Sequence, residues 1–453
     1  MAQKIVIIGG GPAGYPAALT AARLGAEVIL IEKEHLGGVC LNCGCIPSKS
    51  LLDAAHRFDV VKEITSLCAD DVAPLTPALS WPKIQARQQA VTQKFTQGIA
   101  ALLKAAKVQV IQGTAQFADE HTLTVHTAQG EQTISFDGVI IATGSKAFVP
   151  PPFDALPGLV CDNSNIFKIS ALPKTLAIIG GGAIGCEFAT LMSSLGVQVQ
   201  LIEMQPRLLP NMDENLSRVL NKSLQTRGVK LLLGQQVVSA RAQNNQAVLE
   251  LKDGSTITVD LVLAAIGRTC DLTELHPERA GLTWTRKGLQ QVNAQTLQIK
   301  PHIYAAGDVT GLSLLAHAGT HQGMVAAQNL CGQKATYNNA LIPNAVYTMP
   351  ELASVGLTKA QAQAQGIPVK VHKSFMLANG RAQTMSQTDG FVELISDASS
   401  GKLLGATLAT PHASELISII TVALQSGMTV TQLKEVVFPH PTISESIGEA
   451  LAK

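Results

Sequence analysis

The sequence predicts an α/β protein in which two Rossmann-like dinucleotide-binding units are followed by a C-terminal α+β unit. Three observations support this. A glycine-rich strand–turn–helix pattern occurs twice at a fixed interval, each copy is followed by an apolar strand running to a glycine, and from about residue 341 the texture changes to short alternating runs. With 453 residues, 46% of them hydrophobic, the chain has core for about three domains and needs no staples.

The first copy opens with KIVIIGGGPAG, an apolar strand running into Gly9, Gly11 and Gly14. The helical pattern YPAALTAARLG and a second strand, AEVILIE, follow and end at Glu32. A tight turn, close backbone approach and helix packing each require a residue without a side chain, and the helix N-terminus then offers N–H groups to a pyrophosphate. Glu32 is placed to hold a ribose hydroxyl.

The second copy is LAIIGGGAIGCEFATLMSSLGVQVQLIE, with Gly180, Gly182 and Gly185 in the turn and Glu203 closing the second strand. Every element is offset by 171 residues from its counterpart. One such motif is a weak signal, but two complete copies at identical spacing imply two nucleotide cofactors.

VIIATGS after the first copy and LVLAAIGR after the second read as strands buried on both faces whose ends, with Gly144 and Gly267, lie near a ligand. The proline-rich stretch at 150–158 reads as a crossing between units. IYAAGDVTG is a further apolar strand offering Asp308 at its end, and an alanine-rich helical stretch runs from there to residue 330. Runs such as FVELIS and LLGATLA, with two helical stretches, make the last unit α+β.

A net charge of +1 without runs of like charge, and only 4% aromatic residues, leave no footprint for nucleic acid or an anionic membrane. No apolar stretch is long enough to span a bilayer, and the N-terminus lacks the pattern of a secretory signal, so a cytoplasmic location is expected. Eight cysteines are too few for a disulfide scaffold in a chain of this length. Any disulfide should therefore be catalytic.

Three of the eight, Cys40, Cys43 and Cys45, fall within GGVCLNCGC. Structural zinc needs four ligands, and no partner pair is evident elsewhere, so no metal site is expected. Cys40 and Cys43 face one side of a helix and lie close enough to bond. Cys40 and Cys45 do so only if the helix is distorted, because five regular steps rise about 7.5 Å; Gly44 is the residue able to permit it. The residues alone leave both pairings open.

GGVCLNCGCIPSK resembles the redox segment of the flavoprotein disulfide reductases, the pyridine nucleotide-disulfide oxidoreductase family. ATGS, GGGAIGCEFA, IYAAGDVTG, VYTMPELASVGLT and FPHPTISESIGEA extend the likeness over essentially the whole chain. The surroundings LN and IPSK, with LLAHAGTHQG and NGRA, look most like the dihydrolipoyl dehydrogenase branch.

The resemblance implies FAD and NAD as cofactors, an FAD-binding domain at 1–146 and 270–340, an NAD-binding domain at 147–269, and a dimerisation domain at 341–453. It implies Cys40 as the interchange thiol and Cys45 as the thiol against the flavin. Lys49 is implied to pair with Glu187 beside the flavin, and His317 to lie near it. A dyad of His440 and Glu445 is implied to reach across a homodimer and activate the substrate thiol. The reaction implied is oxidation of dihydrolipoamide on the lipoyl domain of a 2-oxo acid dehydrogenase or glycine cleavage complex, with reduction of NAD. The alternatives are an NAD(P)H-dependent reductase of another small disulfide, glutathione-reductase-like, and a non-catalytic flavin-bearing scaffold.

Histidine suits proton transfer near neutrality, and a carboxylate on its second nitrogen fixes the tautomer. Glu203 favours NAD because a carboxylate accepts a ribose hydroxyl and repels a 2′-phosphate, with Arg207 four residues on opposing that preference. Cys43, Phe438 and GRTCDL depart from the family pattern. Cys43 is expected to be a packed, inert thiol, and Phe438 stands where many lipoamide enzymes have a second histidine.

Overall fold

The strand Lys4–Ile8 lies inside a six-stranded sheet with nearly every side chain buried, which is why it reads as an unbroken apolar run rather than an alternating one. The structure is a computed structural model and describes residues 2–64, 67–69, 73 and 78–452. The strand order is Gln298–Lys300, Ile303–Ala305, Gly138–Ile141, Lys4–Ile8, Glu27–Glu32 and Gln109–Gln112, with all neighbours parallel except the first pair. Helix α1 (Gly14–Arg23) connects the two strands of the first motif. Ile7 and Ile140 at the centre are fully buried, so truncating either to alanine costs about 2–5 kcal/mol.

The second copy builds a five-stranded sheet, parallel throughout, in the order Lys230–Leu233, Gln198–Glu203, Thr175–Ile179, Leu261–Ala264 and Val160–Asp162. A three-stranded antiparallel sheet accompanies each parallel one, at 114–135 and 237–259. The duplication therefore extends beyond the glycine motifs. Lys146–Ala147 pairs antiparallel with Arg268–Thr269, so the chain leaves the first unit and returns along one short ribbon.

The cysteine segment forms α2 (Gly38–Cys43) and α3 (Cys45–Ile64). A 25-residue helix, α4 (Trp81–Ala105), packs on α3 and has no counterpart in the motifs read from sequence. Its start is fixed to the second unit: Trp81 Nε1 donates to the Ile169 carbonyl at 2.9 Å, and Gln85 Nε2 donates to those of Phe167 and Ile169. The second motif's helix is α5 (Ala183–Ser194), whose residues from Gly185 onward are almost all buried.

The last unit is a five-stranded antiparallel sheet in the order Asn344–Val346, Glu351–Gly356, Leu403–Thr410, Phe391–Asp397 and Val369–Phe375. Ile417 and Ile420 of one helix and Ile447 and Leu451 of the last share its core with Val392, Leu394 and Leu408. Where two helical stretches were expected, the described residues form five: Lys359–Ala364, Gly380–Thr384, Ala413–Gln425, Val430–Lys434 and Glu445–Leu451. Three of the short ones start at Thr358, Asn379 and Thr429, whose side chains cap the first turn. Helices of five to seven residues are too short to show periodicity, and capping decides them.

Candidate active site

At Gly44 the helix breaks between Cys43 and Cys45, with backbone angles φ −145° and ψ −119°. A Cβ on Gly44 would stand 2.8 Å from the Val39 carbonyl oxygen and 3.1 Å from Cys40 Cα, so only glycine fits there. The break turns Cys45 back toward Cys40, near enough that each thiol is the main influence on the other's titration. A continuous helix would hold them one long step apart.

Within the pair the two thiols are shifted in opposite directions. The Cys45 thiol is lowered to about 7, first by the neighbouring Cys40 and then by the Lys49 charge, against partial burial and the Glu187 carboxylate. The Cys40 thiol is pushed well up by Cys45 and by burial. Cys43 is separate. Its side chain packs on the hydrophobic cluster of the second unit, its carbonyl accepts from Asn163 Nδ2, and burial raises its thiol, with Arg268 opposing. Burial likewise raises the thiols of Cys161, Cys186 and Cys270, which suits packed, unreactive groups.

Lys49 lies one helical turn beyond Cys45 on α3, and so on the same face. Its Nζ donates to Glu187 Oε2 at 2.7 Å and to Oε1 at 2.8 Å, and it lies 4.5 Å from the centroid of the Tyr347 ring. The Tyr347 backbone N–H donates to Glu187 Oε1 at 3.1 Å. Glu187, buried on α5, thus has both oxygens engaged.

The two glycine turns divide their labour identically. Gly9 and Gly180 have φ of +104° and +106°, and a Cβ on either would lie within 2.4 Å of a backbone oxygen. Gly14 and Gly185 allow the helix to approach the turn, since a Cβ there would come within 1.9 Å of the Gly9 or Gly180 oxygen. The middle glycines are open: Gly11 has nothing nearer than 3.8 Å and Gly182 nothing within 4 Å. A side chain there would occupy the approach to the helix N-terminus, the cradle that a pyrophosphate fits.

The acidic residues are tethered in the same way. Glu32 accepts from Gly10 N at 2.6 Å and Glu34 N at 2.7 Å; Glu203 accepts from Gly181 N at 2.6 Å and Gln205 N at 2.7 Å. Each carboxylate is oriented while its oxygens keep further lone pairs for a ribose. Arg207 is turned away from Glu203, its guanidinium donating to the carbonyls of Leu209, Pro210 and Met212 and to Ser217 Oγ.

Asp308 follows the strand Ile303–Ala305, as its place in the sequence suggests, and accepts from Ser145 Oγ at 2.5 Å. Arg268 donates to Ser145 through Nε at 2.8 Å and NH2 at 2.5 Å, reaches Asn163 at 3.2 Å, and lies 3.6 Å from Asp308. Ser145 and Arg268 stand inside motifs read from the sequence, but nothing in the spacing marks them as partners. Gly144 (φ +69°) and Gly267 (φ +132°) lie three residues beyond the ends of their strands, in the loops that bring this network together. His317, at the start of the helix Ala316–Leu330, is hydrogen-bonded through Nε2 to the Pro343 carbonyl at 2.7 Å, which ties that helix to the entry of the last unit.

His440 Nδ1 lies 2.9 Å from Glu445 Oε1, and Thr442 N donates to Glu445 Oε2 at 2.8 Å. These contacts hold the Glu445 carboxyl below the usual range, the Thr442 bond foremost, then His440. With Nδ1–H on Glu445, Nε2 is the nitrogen left to accept a proton, on a side chain 79% exposed. Among the described residues no hydrogen bond or ion pair links the dyad to Cys40, Cys45 or Lys49 of the same chain. Phe438 is partly buried, its ring lying over Gly448 of the last helix.

Among the described residues no three His, Cys, Asp or Glu side chains are grouped to hold a metal ion, and no helix is long and apolar enough to cross a membrane.

The model for pyridine nucleotide-disulphide oxidoreductases matches residues 3–323, and the model for their dimerisation domain matches 342–451. A dihydrolipoyl dehydrogenase of Bacillus subtilis is 37% identical over 99% of this chain and 98% of its own length; one of Thermus scotoductus is 38% identical over 98% and 96%. Among solved structures, LpdA from Mycobacterium tuberculosis has a TM-score of 0.91 at 29% identity, covering 99% of both chains. The HOCl-induced flavoprotein disulfide reductase RclA from Escherichia coli has a TM-score of 0.88 at 29% identity, again over 99% of both. The family uses FAD and NAD. With both models matched in order along nearly the whole chain, the protein belongs to the pyridine nucleotide-disulphide oxidoreductase family.

Proposed function

We propose that this chain is an NAD-dependent flavoprotein disulfide oxidoreductase that oxidises protein-bound dihydrolipoamide to lipoamide and reduces NAD+ to NADH, the activity named in its full-length relatives. The observation that carries the reading is the break at Gly44, which turns Cys45 back toward Cys40 with Lys49 one turn away on the same helix.

The division of labour follows the sheets. Residues 1–146 and 270–340 form the FAD-binding domain, 147–269 the NAD-binding domain and 341–453 the interface domain. Gly9, Gly11, Gly14, Glu32, Gly144, Asp308, Lys49 and His317 would hold FAD; Gly180, Gly182, Gly185, Glu203 and Gly267 would hold NAD. The open cradles at Gly11 and Gly182 support this, and Arg207, occupied by loop carbonyls, leaves the Glu203 preference for NAD unopposed.

Catalysis begins with the pair as a disulfide. His440 Nε2, from the second subunit of a homodimer, takes the proton of a substrate thiol, and Glu445 stabilises the imidazolium formed. The substrate thiolate attacks Cys40 Sγ, the Cys40–Cys45 bond breaks, and Cys45 leaves as the thiolate that Lys49 stabilises. The second substrate thiol then displaces Cys40, which leaves with a proton, and the product is a lipoyl disulfide. When bound, FAD supplies the two-electron acceptor that reoxidises the pair and delivers a hydride to NAD+.

Apolar side chains exposed on the last unit, Val437 at 92% and Leu377 at 67%, support the homodimer, alongside the match to a dimerisation domain. The partner in catalysis is the lipoyl domain of a 2-oxo acid dehydrogenase or glycine cleavage complex, and the location is the cytoplasm.

A second reading, an NAD(P)H-dependent reductase of another small disulfide, is favoured by one observation: apolar Phe438 packs against Gly448 where many lipoamide enzymes have a histidine. Steady-state assays separate the two. Turnover of dihydrolipoamide with NAD+ supports the first; turnover of NADPH with glutathione disulfide and none of dihydrolipoamide replaces it with the second.

A further inference from the structure

Lys49 is gripped from two directions, and one of the grips has no role in the chemistry above. Glu187 meets its Nζ at 2.7 and 2.8 Å, while the Tyr347 ring lies 4.5 Å from it and the Tyr347 N–H donates to the same Glu187. Tyr347 is itself anchored. It directly follows the strand Asn344–Val346, which pairs with Glu351–Gly356, and Glu351 in turn accepts from Ser414 through both N and Oγ. The helix of the cysteines, the helix of the second glycine motif and the last unit therefore meet at one ammonium.

We propose that Tyr347 is a positioning residue of the redox centre: its ring and its backbone N–H keep Lys49 and Glu187 in register, so that the Lys49 charge acts on the Cys45 sulfur. This rests on the redox reading above. The face of an aromatic ring attracts a cation, most strongly where water is partly excluded, and here it also limits the sweep of a long, flexible side chain. The ionisable groups around Cys45 are Cys40 from α2, Lys49 on its own helix and Glu187 from α5, with Tyr15 of α1 beside Cys40. Of these only Lys49 is positive, and Glu187 opposes it. An ammonium released from Tyr347 favours the thiolate less, and the Glu187 charge then weighs more.

The test uses FAD-loaded protein carrying Cys40→Ser, in which Cys45 is the remaining thiol of the pair, and follows long-wavelength thiolate-to-flavin absorbance against pH. Tyr347→Leu should raise the midpoint by about half to one pH unit, and Tyr347→Phe, which keeps the ring, should leave it near the parent value. In a Lys49→Met background Tyr347→Leu should add no further shift. A difluorinated phenylalanine at 347 keeps the packing and weakens the ring face, so it should move the midpoint upward relative to Tyr347→Phe even if the leucine variant does not fold.

An unmoved midpoint in Tyr347→Leu, an equal shift with and without Lys49, or identical midpoints for the two phenylalanine rings would overturn the proposal. No thiolate-to-flavin absorbance with Tyr347 intact would instead overturn the redox reading on which it rests.

Discussion

Lys49 Nζ lies 2.7 and 2.8 Å from the two carboxylate oxygens of Glu187, residues 138 positions apart in the chain. That ion pair joins the helix that presents the cysteines to the helix that opens the second dinucleotide cradle. Glu187 is buried and Lys49 is about one-third exposed, so removing the lysine leaves a buried carboxylate without its counter-charge. Lys49→Met should therefore destabilise the protein by about 1–3 kcal/mol, less than a fully buried pair would lose. It should also slow flavin reduction by dithiol. Urea unfolding and stopped-flow absorbance measure the two separately; normal rates with reduced stability would leave Lys49 a purely structural role.

The opposite shifts of the two cysteines make a prediction that needs no flavin. Because Cys45 is lowered to about 7 and Cys40 is raised, the fraction of Cys45 thiolate grows as pH rises through neutrality while Cys40 keeps its proton. Iodoacetamide added near neutral pH to reduced, flavin-free protein should label Cys45 ahead of Cys40, with a rate that climbs through about pH 7. Peptide mapping that finds Cys40 labelled first would reverse the assignment of acid and thiolate.

Cys43 packs against the second unit and shares no hydrogen bond with the other two thiols, so Cys43→Ser should keep dithiol oxidation within about twofold of the parent. Cys40→Ser and Cys45→Ser should each abolish it. Loss of turnover in the Cys43 variant would bring that thiol into the redox cycle.

His440→Gln should lower kcat/KM for the dithiol by about a hundred- to ten-thousandfold, the usual worth of a general base. Glu445→Gln should cost less, since the imidazole keeps a hydrogen-bond partner. Neither should slow oxidation of NADH by an artificial electron acceptor, a reaction that bypasses the thiol proton. A matching loss in both assays would place the dyad in folding or flavin binding.

The glycines of the second turn separate fold from ligand. A Cβ on Gly185 would lie 1.9 Å from the Gly180 oxygen, so Gly185→Ala should destabilise by about 3 kcal/mol or more. Gly182 has nothing within 4 Å; Gly182→Ala should leave the melting temperature nearly unchanged yet weaken NADH binding by about tenfold. Calorimetry and a binding titration decide it, and unchanged NADH affinity in Gly182→Ala would remove that glycine from the cradle.

Much of this arrangement is written locally in the chain. The doubled motif shows in the sequence because each glycine answers a local constraint at fixed spacing, and Glu32 and Glu203 fall where their strands end. Gly44 was readable for the same reason: two cysteines five residues apart in a helix need a break between them. Tyr347, Ser145 and Arg268 were not, because each acts through partners more than a hundred positions away, and no spacing rule marks such a meeting. Helix α4 lacks any glycine or cysteine signature and is fixed by Trp81 and Gln85 reaching carbonyls of another unit. The short helices of the last unit depend on single capping side chains rather than on periodicity.

The most direct test is an anaerobic titration of the purified flavoprotein with dihydrolipoamide. The account predicts that two electrons per chain produce the long-wavelength absorbance of a thiolate against oxidised flavin, that Cys45→Ser removes this signal, and that added NAD+ discharges it with formation of NADH. Reduction that bleaches the flavin without that absorbance, or the same absorbance in Cys45→Ser, would contradict the assignment of Cys40 and Cys45 as the redox pair.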